Sequence, residues 1–502
     1  MAIIEDESQS LEALKNIKPT ENTKSTFINS PIFHKILIFS VTLLGIFLTY
    51  TIIPSESSKI SKSNPLAYIG LSIYVLSLVS LFSVYLNKFW STYFASTRHL
   101  ALISTLTIST FLLNVLSLSF SPYFSFLPSL AMLARIFTNF QISLILSITA
   151  TISTYMFITA DITVLAINLF SVIISIFSLT KIQQRADLVK SGVLISAVNI
   201  LLIASTKLMT NPTVDINHFF NNIAWGAGTG IFSAVYSIGA LPFLESIFGL
   251  VTSFKLFELA NPNQPLLRQL MLKAPGTYQH SLIVGNLAES AAEAINADPL
   301  LTRVGAMYHD VGKMIRPYFF IENQQGLENQ HSKISPRLSA LVITSHVKEG
   351  IELAKEYKLP NIIIDFIPMH HGTSLVAYFY HQAKQTEKPE DVIEEHFRYP
   401  GPKPRTKETA ILMLADACEA AVRAISKPTV EQIQKTISKI IKARLDDGQL
   451  SEAPLTLVDL DRIGTEFLRI LQSLYHSRIE YPSEEKIIKD LGKKITNGNT
   501  FK

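Results

Sequence analysis

Charge is scarce in this sequence where a soluble protein would carry a good deal of it. Only 17% of the 502 residues are Asp, Glu, Lys or Arg, against about 25% in ordinary globular chains, and the mean hydropathy is +0.29. The deficit is concentrated between Ser30 and about Leu250, whereas the remainder to Lys502 is rich in Lys, Glu, Asp and His. A membrane half and a polar half therefore share one chain. Cysteine is nearly missing: Cys418 stands alone, which excludes an intrachain disulfide and leaves a buried thiol as its plain reading. No dense Lys/Arg run accompanies the net charge of +4, so a surface for a DNA or RNA polymer is not indicated. An apolar stretch close to Met1 is absent too, which argues against a cleavable signal peptide and makes residues 1–31 a polar cytosolic tail. Repeats and low-complexity tracts are lacking, and strand-like alternation is nowhere sustained.

What is present begins with apolar runs of lipid-crossing length at about 32–53, 66–86, 99–118, 140–160, 162–180, 191–207 and 222–247, with a shorter run near 124–137. Lys/Arg placement decides whether the short run counts. With eight spans and the N-terminus inside, the inner loops hold Lys88, Arg98, Arg135, Lys181, Arg185 and Lys190, and the outer loops only Lys59, Lys62 and Lys207. Eight helices over 32–250, with both ends in the cytosol, fit that bias. Asp161, between two apolar runs, reads as part of a tight outer turn. From 251 to 276 the chain turns amphipathic, with Pro262, Pro265 and Pro275 breaking the pattern, and is expected to form an interfacial connector.

Beyond it, apolar residues recur at helical spacing in SLIVGNLAESAAEAI, PRLSALVITSHVKEGIELAKEY, TKETAILMLADACEAAVRAI, TVEQIQKTISKIIKARL and LVDLDRIGTEFLRILQSLY. The second half, 277–482 before a polar tail at 483–502, is predicted to be all-α, as is the whole chain. One segment, Thr373 to Thr406, reads as a long loop-rich insertion and a functional candidate.

The chemistry is carried by an ordered series: His280, His309 with Asp310, His346, His370 with His371, and Asp416. Adjacent helical residues point about 100° apart, so a His-Asp or His-His pair does not chelate one ion from one face but can straddle two. Phosphodiester hydrolysis rewards such a pair, because two ions about 3.5–4 Å apart activate water, neutralise the phosphate and stabilise the departing alkoxide. Imidazoles with a bridging carboxylate suit Mn or Fe better than Mg. Lys313, one helical turn past His309, is placed to hold a phosphate oxygen. The single histidines His331, His381, His396 and His476 read as ordinary core or surface residues.

The pattern H…HD…H…HH…D, set in APGTYQHSLIVGNLAE, RVGAMYHDVGKMIRPYFFIENQ, HHGTSLVAYFY and GPKPRTKE, resembles the seven-transmembrane HD family of membrane-anchored cyclic-di-AMP phosphodiesterases. The likeness is dense from about Phe257 to Pro482 and looser through the spans. It implies an HD-type phosphohydrolase domain in which His280, His309, Asp310 and Asp416 hold one metal, and His346, His370 and His371 with Asp310 the other. Asp310 would bridge two divalent transition-metal ions and, with Lys313, carry catalysis. Arg316, Asn323, Gly401 and Lys403 are expected at the substrate, the competing readings being helix caps and domain closure for the first two and a rigid Gly401-Pro402 turn for the others. Members of the family often have Tyr-His-His where Gln279 stands here, which puts a substrate or supporting contact in question and not the metals.

Family members also carry a large extracytoplasmic domain after the first helix, for which Pro54 to Asn64 leave no room. The resemblance implies a multi-pass protein of a bacterial-type inner (plasma) membrane with its HD domain cytosolic, hydrolysing cyclic di-AMP to the linear pApA; a homodimer is left open. The absence of a GYP motif after the histidine pair disfavours cyclic di-GMP. The competing reading is a catalytically weak cyclic-dinucleotide receptor or scaffold, against which the full ligand set argues. A transporter fits less well, since the spans hold almost no charge.

Overall fold

A computed structural model describes residues 31–52, 65–117, 119–156, 161–180, 184–210, 215–324, 328–386 and 391–475. Lys59, Lys62, Lys181, His476 and nearly all of both terminal tails lie outside the described residues. The chain divides into two compact units, Met1–Lys255 and Leu256–Lys502.

The first unit consists of helices because apolar runs withdrawn from water must satisfy their own backbone. They are α1 (Pro31–Ile52), α2 (Pro65–Phe89), the short α3 (Ser91–Ala95), α4 (Thr97–Ser117), α5 (Leu127–Phe137), α6 (Phe140–Thr154), α7 (Ile162–Ser178), α8 (Ala186–Thr210) and α9 (Ile216–Phe248). Among the described residues, α2, α4, α8 and α9 are long and apolar enough to cross a bilayer. Side chains at the turns start several of the others: Asn139, Asp161 and Asp215 accept hydrogen bonds from the first free backbone amides of α6, α7 and α9. Asp161 is thus an exposed N-cap. Gly249, with φ of 59°, closes α9 in the left-handed conformation that glycine adopts without strain.

Helix α5 differs from its neighbours. Its eleven residues reach about 16 Å, half of a hydrocarbon layer roughly 30 Å thick. Leu130, Ala131, Met132, Leu133 and Ala134 are fully enclosed by the other helices. Tyr123, Phe124 and Ser125, in the non-helical segment leading into α5, are buried as well, and side chains satisfy backbone groups there. Asn114 Oδ1 accepts from the Phe126 amide (2.8 Å), and Thr229 Oγ1 accepts from the Ser125 amide (3.0 Å) while donating to the Tyr123 carbonyl (2.9 Å). Irregular backbone inside a membrane protein requires such internal partners.

The second unit begins within α10 (Ser253–Leu259) and continues through α11 (Pro265–Lys273), α12 (Pro275–Ala294), α13 (Pro299–Tyr308), α14 (Pro336–Glu356), α15 (Asn361–Ile364), α16 (Phe366–Met369), α17 (Ala377–Thr386), α18 (Lys407–Arg423), α19 (Val430–Asp446) and α20 (Leu457–Leu474). Leu266, Leu267 and Leu270 of α11 are buried, so the amphipathic face of that segment has a protein partner. Helix α18 runs through the centre, with Ala410 to Ala415 wholly enclosed, against Leu287 and Ala291 of α12 and Ile463, Phe467 and Leu471 of α20. Threonines 406, 429 and 456 form capping boxes that start α18, α19 and α20. Cys418 is buried in the same core.

The segment 373–406 is less irregular than its sequence suggests. It holds α17 and a 3₁₀ turn, Glu394–Phe397, and packs Phe379, Tyr380, Ala383 and Phe397 against Ala340 of α14. An isolated antiparallel bridge pairs Leu375 with Arg398.

Candidate metal centre

Five helices, two of them through the turns at their ends, deliver the histidines and aspartates to one place. His280 lies on the inner face of α12. His309 caps the end of α13, with Asp310 next, and a 3₁₀ turn, Val311–Ile315, follows at once. His346 comes from the middle of α14, His370 and His371 follow α16, and Asp416 projects from α18. Gly312 makes the meeting of these elements possible, since a Cβ there would lie 1.9 Å from the His346 carbonyl oxygen. The turn after Asp310 therefore rests directly on the α14 backbone.

The ligating atoms fall into two groups, Asp310 with His346, His370 and His371, and His280 with His309 and Asp416. The Asp310 carboxylate stands between them. Its Oδ1 is 3.5 Å from His346 Nε2 and 3.6 Å from His370 Nε2, while its Oδ2 is 3.2 Å from His309 Nε2 and 3.8 Å from His280 Nε2. His280 Nε2 also lies 3.0 Å from Asp416 Oδ1. His280, His309, Asp310, His346 and His370 are buried, whereas His371 and Asp416 are partly open to solvent.

Each buried imidazole is oriented from behind. Nδ1 of His309, His346 and His370 donates to the carbonyl of Ala306 (2.6 Å), Ile343 (2.5 Å) and Phe366 (3.2 Å) respectively. With the proton on Nδ1, the Nε2 lone pair points inward. Nε2 of these three histidines and Asp310 Oδ1 are buried without a hydrogen-bond partner, a state that costs about 1–3 kcal/mol per group. Divalent cations at the two groups would relieve all four, and the imidazole and carboxylate donors match such ions.

His280 has a partner that the sequence did not reveal. Its Nδ1 is 2.6 Å from Oε2 of Glu419, a wholly buried carboxylate. Such carboxylate–histidine pairs fix ring orientation and raise ligand basicity. Glu419 stands three residues after Asp416 on α18, a position that reads from sequence as an ordinary helical acid. Burial, the one property that sets it apart, appears only in the fold.

These surroundings separate the imidazoles electrostatically. Burial pushes His346 down to about 4 and His370 to about 3, and sends His371 well below its ordinary value. Burial opposes the charged form of His280 too, but hydrogen bonds to Asp416 and Glu419 prevail and lift it to about 9. Burial would raise Asp310, yet His309 and Lys313 hold it far below the carboxylate range. Lys313 places Nζ 2.7 Å from Asp310 Oδ2 and 3.1 Å from Glu322 Oε1, and these carboxylates keep its ammonium charged despite burial.

A cleft of about 270 Å³ opens beside the centre, lined by Lys313, Phe319, Phe320, His346, His371 and Tyr399 among others. His371 stacks on Tyr399 with ring centroids 4.0 Å apart. His331, unremarkable in sequence, also lines this cleft and bonds the Phe319 carbonyl at 2.9 Å. Glu322 lines it too and is likewise visible only in three dimensions.

The other expected substrate contacts lie outside the cleft lining. Asn323 is buried, its Oδ1 accepting from the Thr277 amide (3.1 Å) and its Nδ2 donating to the Thr277 hydroxyl (2.8 Å), at the start of the helix that carries His280. Arg316 bonds Ser345 (2.8 Å) and Glu349 (2.7 Å) on α14. Gly401, with φ of 82°, precedes a cis peptide bond to Pro402, and the Lys403 Cα approaches Gly372.

The unequal imidazoles lead to a pH prediction. Below about 9, His280 must lose a proton before Nε2 can ligate, whereas His346 and His370 are already neutral at pH 7. Affinity at the His280, His309 and Asp416 group should then rise on the order of tenfold per pH unit from 7 toward 9, while the Asp310, His346, His370 and His371 group stays flat. Calorimetric metal titration of the full chain across that range tests it. Glu419→Gln should end the rise at lower pH; two sites with identical pH profiles would contradict the assignment.

Comparison with known proteins places both units. Residues 65–252, which contain the apolar helices α2 and α4 to α9, match the family described as "7TM receptor with intracellular HD hydrolase", and residues 277–421 match the HD domain. The chain is 43% identical over 321 residues to a cyclic-di-AMP phosphodiesterase, PgpH, of Bacillus subtilis, covering 64% of this chain and 45% of that one. It is 36% identical over 449 residues to the PgpH of Listeria monocytogenes, covering 89% and 58%. The crystal structure of the L. monocytogenes PgpH HD domain with cyclic-di-AMP is 48% identical, covers 43% of this chain and all of that one, and superposes with a TM-score of 0.42. The chain thus spans about half the length of the curated relatives it matches. It is a membrane protein with a divalent-metal HD domain, and it belongs to the family of seven-transmembrane receptors that carry an HD hydrolase.

Proposed function

We propose that this protein is a membrane-anchored, metal-dependent phosphodiesterase that hydrolyses cyclic di-AMP to linear pApA and so lowers a second-messenger level. The observation that carries the reading is the Asp310 carboxylate, which turns one oxygen to each of two imidazole groups at the head of a cleft. The names of two relatives, both cyclic-di-AMP phosphodiesterases, supply the nucleotide. A pair of ions bound there supplies an activated water and neutralises the phosphodiester and its leaving oxygen. The imidazole-rich shell with one shared carboxylate favours Mn or Fe over Mg.

The protein's own residues do the rest. Asp310 orients both groups and, with Glu322, holds the Lys313 ammonium at the cleft wall, where it meets charge developing on the phosphate. Phe319, Phe320 and Tyr399 give the cleft aromatic faces on which a flat base can rest. Asn323 acts indirectly, by fixing the first turn of α12 through Thr277 and thereby the position of His280.

The full chain loaded with Mn or Fe is expected to open cyclic di-AMP, with heavy oxygen from solvent appearing on the product's new terminal phosphate. Asp310→Ala should lose both ions and at least a hundredfold in turnover, while His346→Ala mainly empties one site by elemental analysis. Tight binding of cyclic di-AMP without turnover would establish the receptor reading instead, and faster cleavage of cyclic di-GMP would overturn the choice of base.

The HD domain and the N-terminus face the cytosol across a bacterial inner membrane in this proposal. Support comes from Lys88, Arg98, Arg135, Arg185 and Lys190, which flank the helices on the side assigned to the interior, and from the buried residues Tyr123, Phe124 and Ser125, enclosed non-helical backbone that lengthens the half-length α5. Reporters fused after Lys502 and after Pro122 should localise to opposite sides; an external reading at Lys502 rules the topology out.

A further inference from the structure

The membrane unit holds a cavity of about 500 Å³ between α1, α2, α4 and α6, within the range typical of ligand sites. It exists because α2 stands off the bundle, burying only Leu71, Val75 and Leu86. Along α1 it extends from Lys35 to Ile46, a rise of about 17 Å, close to one leaflet of a hydrocarbon layer roughly 30 Å thick.

The wall chemistry restricts the occupant. The lining hydroxyls have already donated their protons: Thr42 and Ser104 to the Ile38 and Leu100 carbonyls, Thr107 to Ile103, Thr149 to Ile145, and Ser153 to Thr149, all at 2.7–2.9 Å. A sugar or nucleotide would find almost no hydrogen-bond donor inside, while a hydrocarbon chain needs none. Lys35 is the one charged residue among the described lining residues. Its ammonium sits 4.5 Å from the Phe94 ring centroid, at the end of the unit where Lys88 and Arg98 also lie next to their helix termini. Apolar depth equal to one leaflet, with a cation at its headgroup end, complements a single amphiphile.

We propose that this cavity binds one acyl chain of an anionic phospholipid, with Lys35 facing the headgroup. The site lies outside the HD domain and is independent of the nucleotide chemistry, resting only on the placement of the first unit in a bilayer. It gives the membrane half a ligand of its own that responds to lipid composition.

The full chain in phosphatidylcholine vesicles, carrying a few per cent of phosphatidylglycerol with a photoreactive acyl chain, provides the test. After illumination, peptide mass spectrometry should place several-fold more label on the cavity walls than on the outward side chains Leu81 and Val84. Equivalent photoreactive phosphatidylcholine should label the walls several-fold less, a comparison that needs no variant. Ala150→Phe, which adds a ring to the lining, should remove the wall label and leave the outward label, and Lys35→Gln should abolish the preference for the anionic lipid. Wall labelling no greater than that of Leu81 and Val84, or equal labelling by both lipids, overturns the proposal. Absence of label throughout the first unit overturns its placement in the bilayer as well.

Discussion

One buried carboxylate organises the second unit. Asp310 is 1% exposed, and an anion so placed is costly unless cations and hydrogen-bond donors surround it. Here imidazoles on both sides and the Lys313 ammonium answer that need. The arrangement is demanding, because the groups around Asp310 come from distant parts of the chain and are brought within reach only when α12, α14 and α18 pack together around the α13 terminus. Folding and site assembly are accordingly the same event, and the apolar core of α12, α18 and α20 stabilises the scaffold on which the charges meet.

The supporting contacts follow from that constraint. Gly312 admits the α14 backbone where any side chain would collide, so the turn bearing Asp310 and the helix bearing His346 share a fixed spacing. Carbonyls at the ends of helical turns hold three imidazoles by Nδ1, and Glu419 holds the fourth. Asn323 ties Glu322's neighbourhood to Thr277, while Glu322 itself steadies Lys313. The donor atoms are thus held in position by the protein's own contacts, the pre-placed charge on which the proposed hydrolysis relies.

Much of this was legible in the sequence, for identifiable reasons. Long apolar runs and three-to-four spacing survive as helices because burial of one face dominates local structure, and the order of the ligands is carried by residue types that rarely recur together. Three features were not legible. Glu419 looks like any helical acid until α12 closes over it. His331 has no motif around it and joins the cleft by packing between Phe319 and Phe379 of α17. The run near 124–137 is apolar enough for a span, yet α5 is half-length, because the residues before it bond to Asn114 and Thr229 instead of continuing a helix. Each depends on contacts between residues far apart in sequence, which periodicity does not encode.

The most direct test of the Asp310 bridge is magnetic. Two Mn(II) ions joined through one carboxylate couple to each other, so the electron paramagnetic resonance spectrum of the fully loaded chain should be that of an exchange-coupled pair and should lose that coupling in Asp310→Ala even when metal is restored in excess. A spectrum of isolated ions from the loaded wild-type chain would contradict the bridge and, with it, the two-metal centre on which the proposed hydrolysis depends.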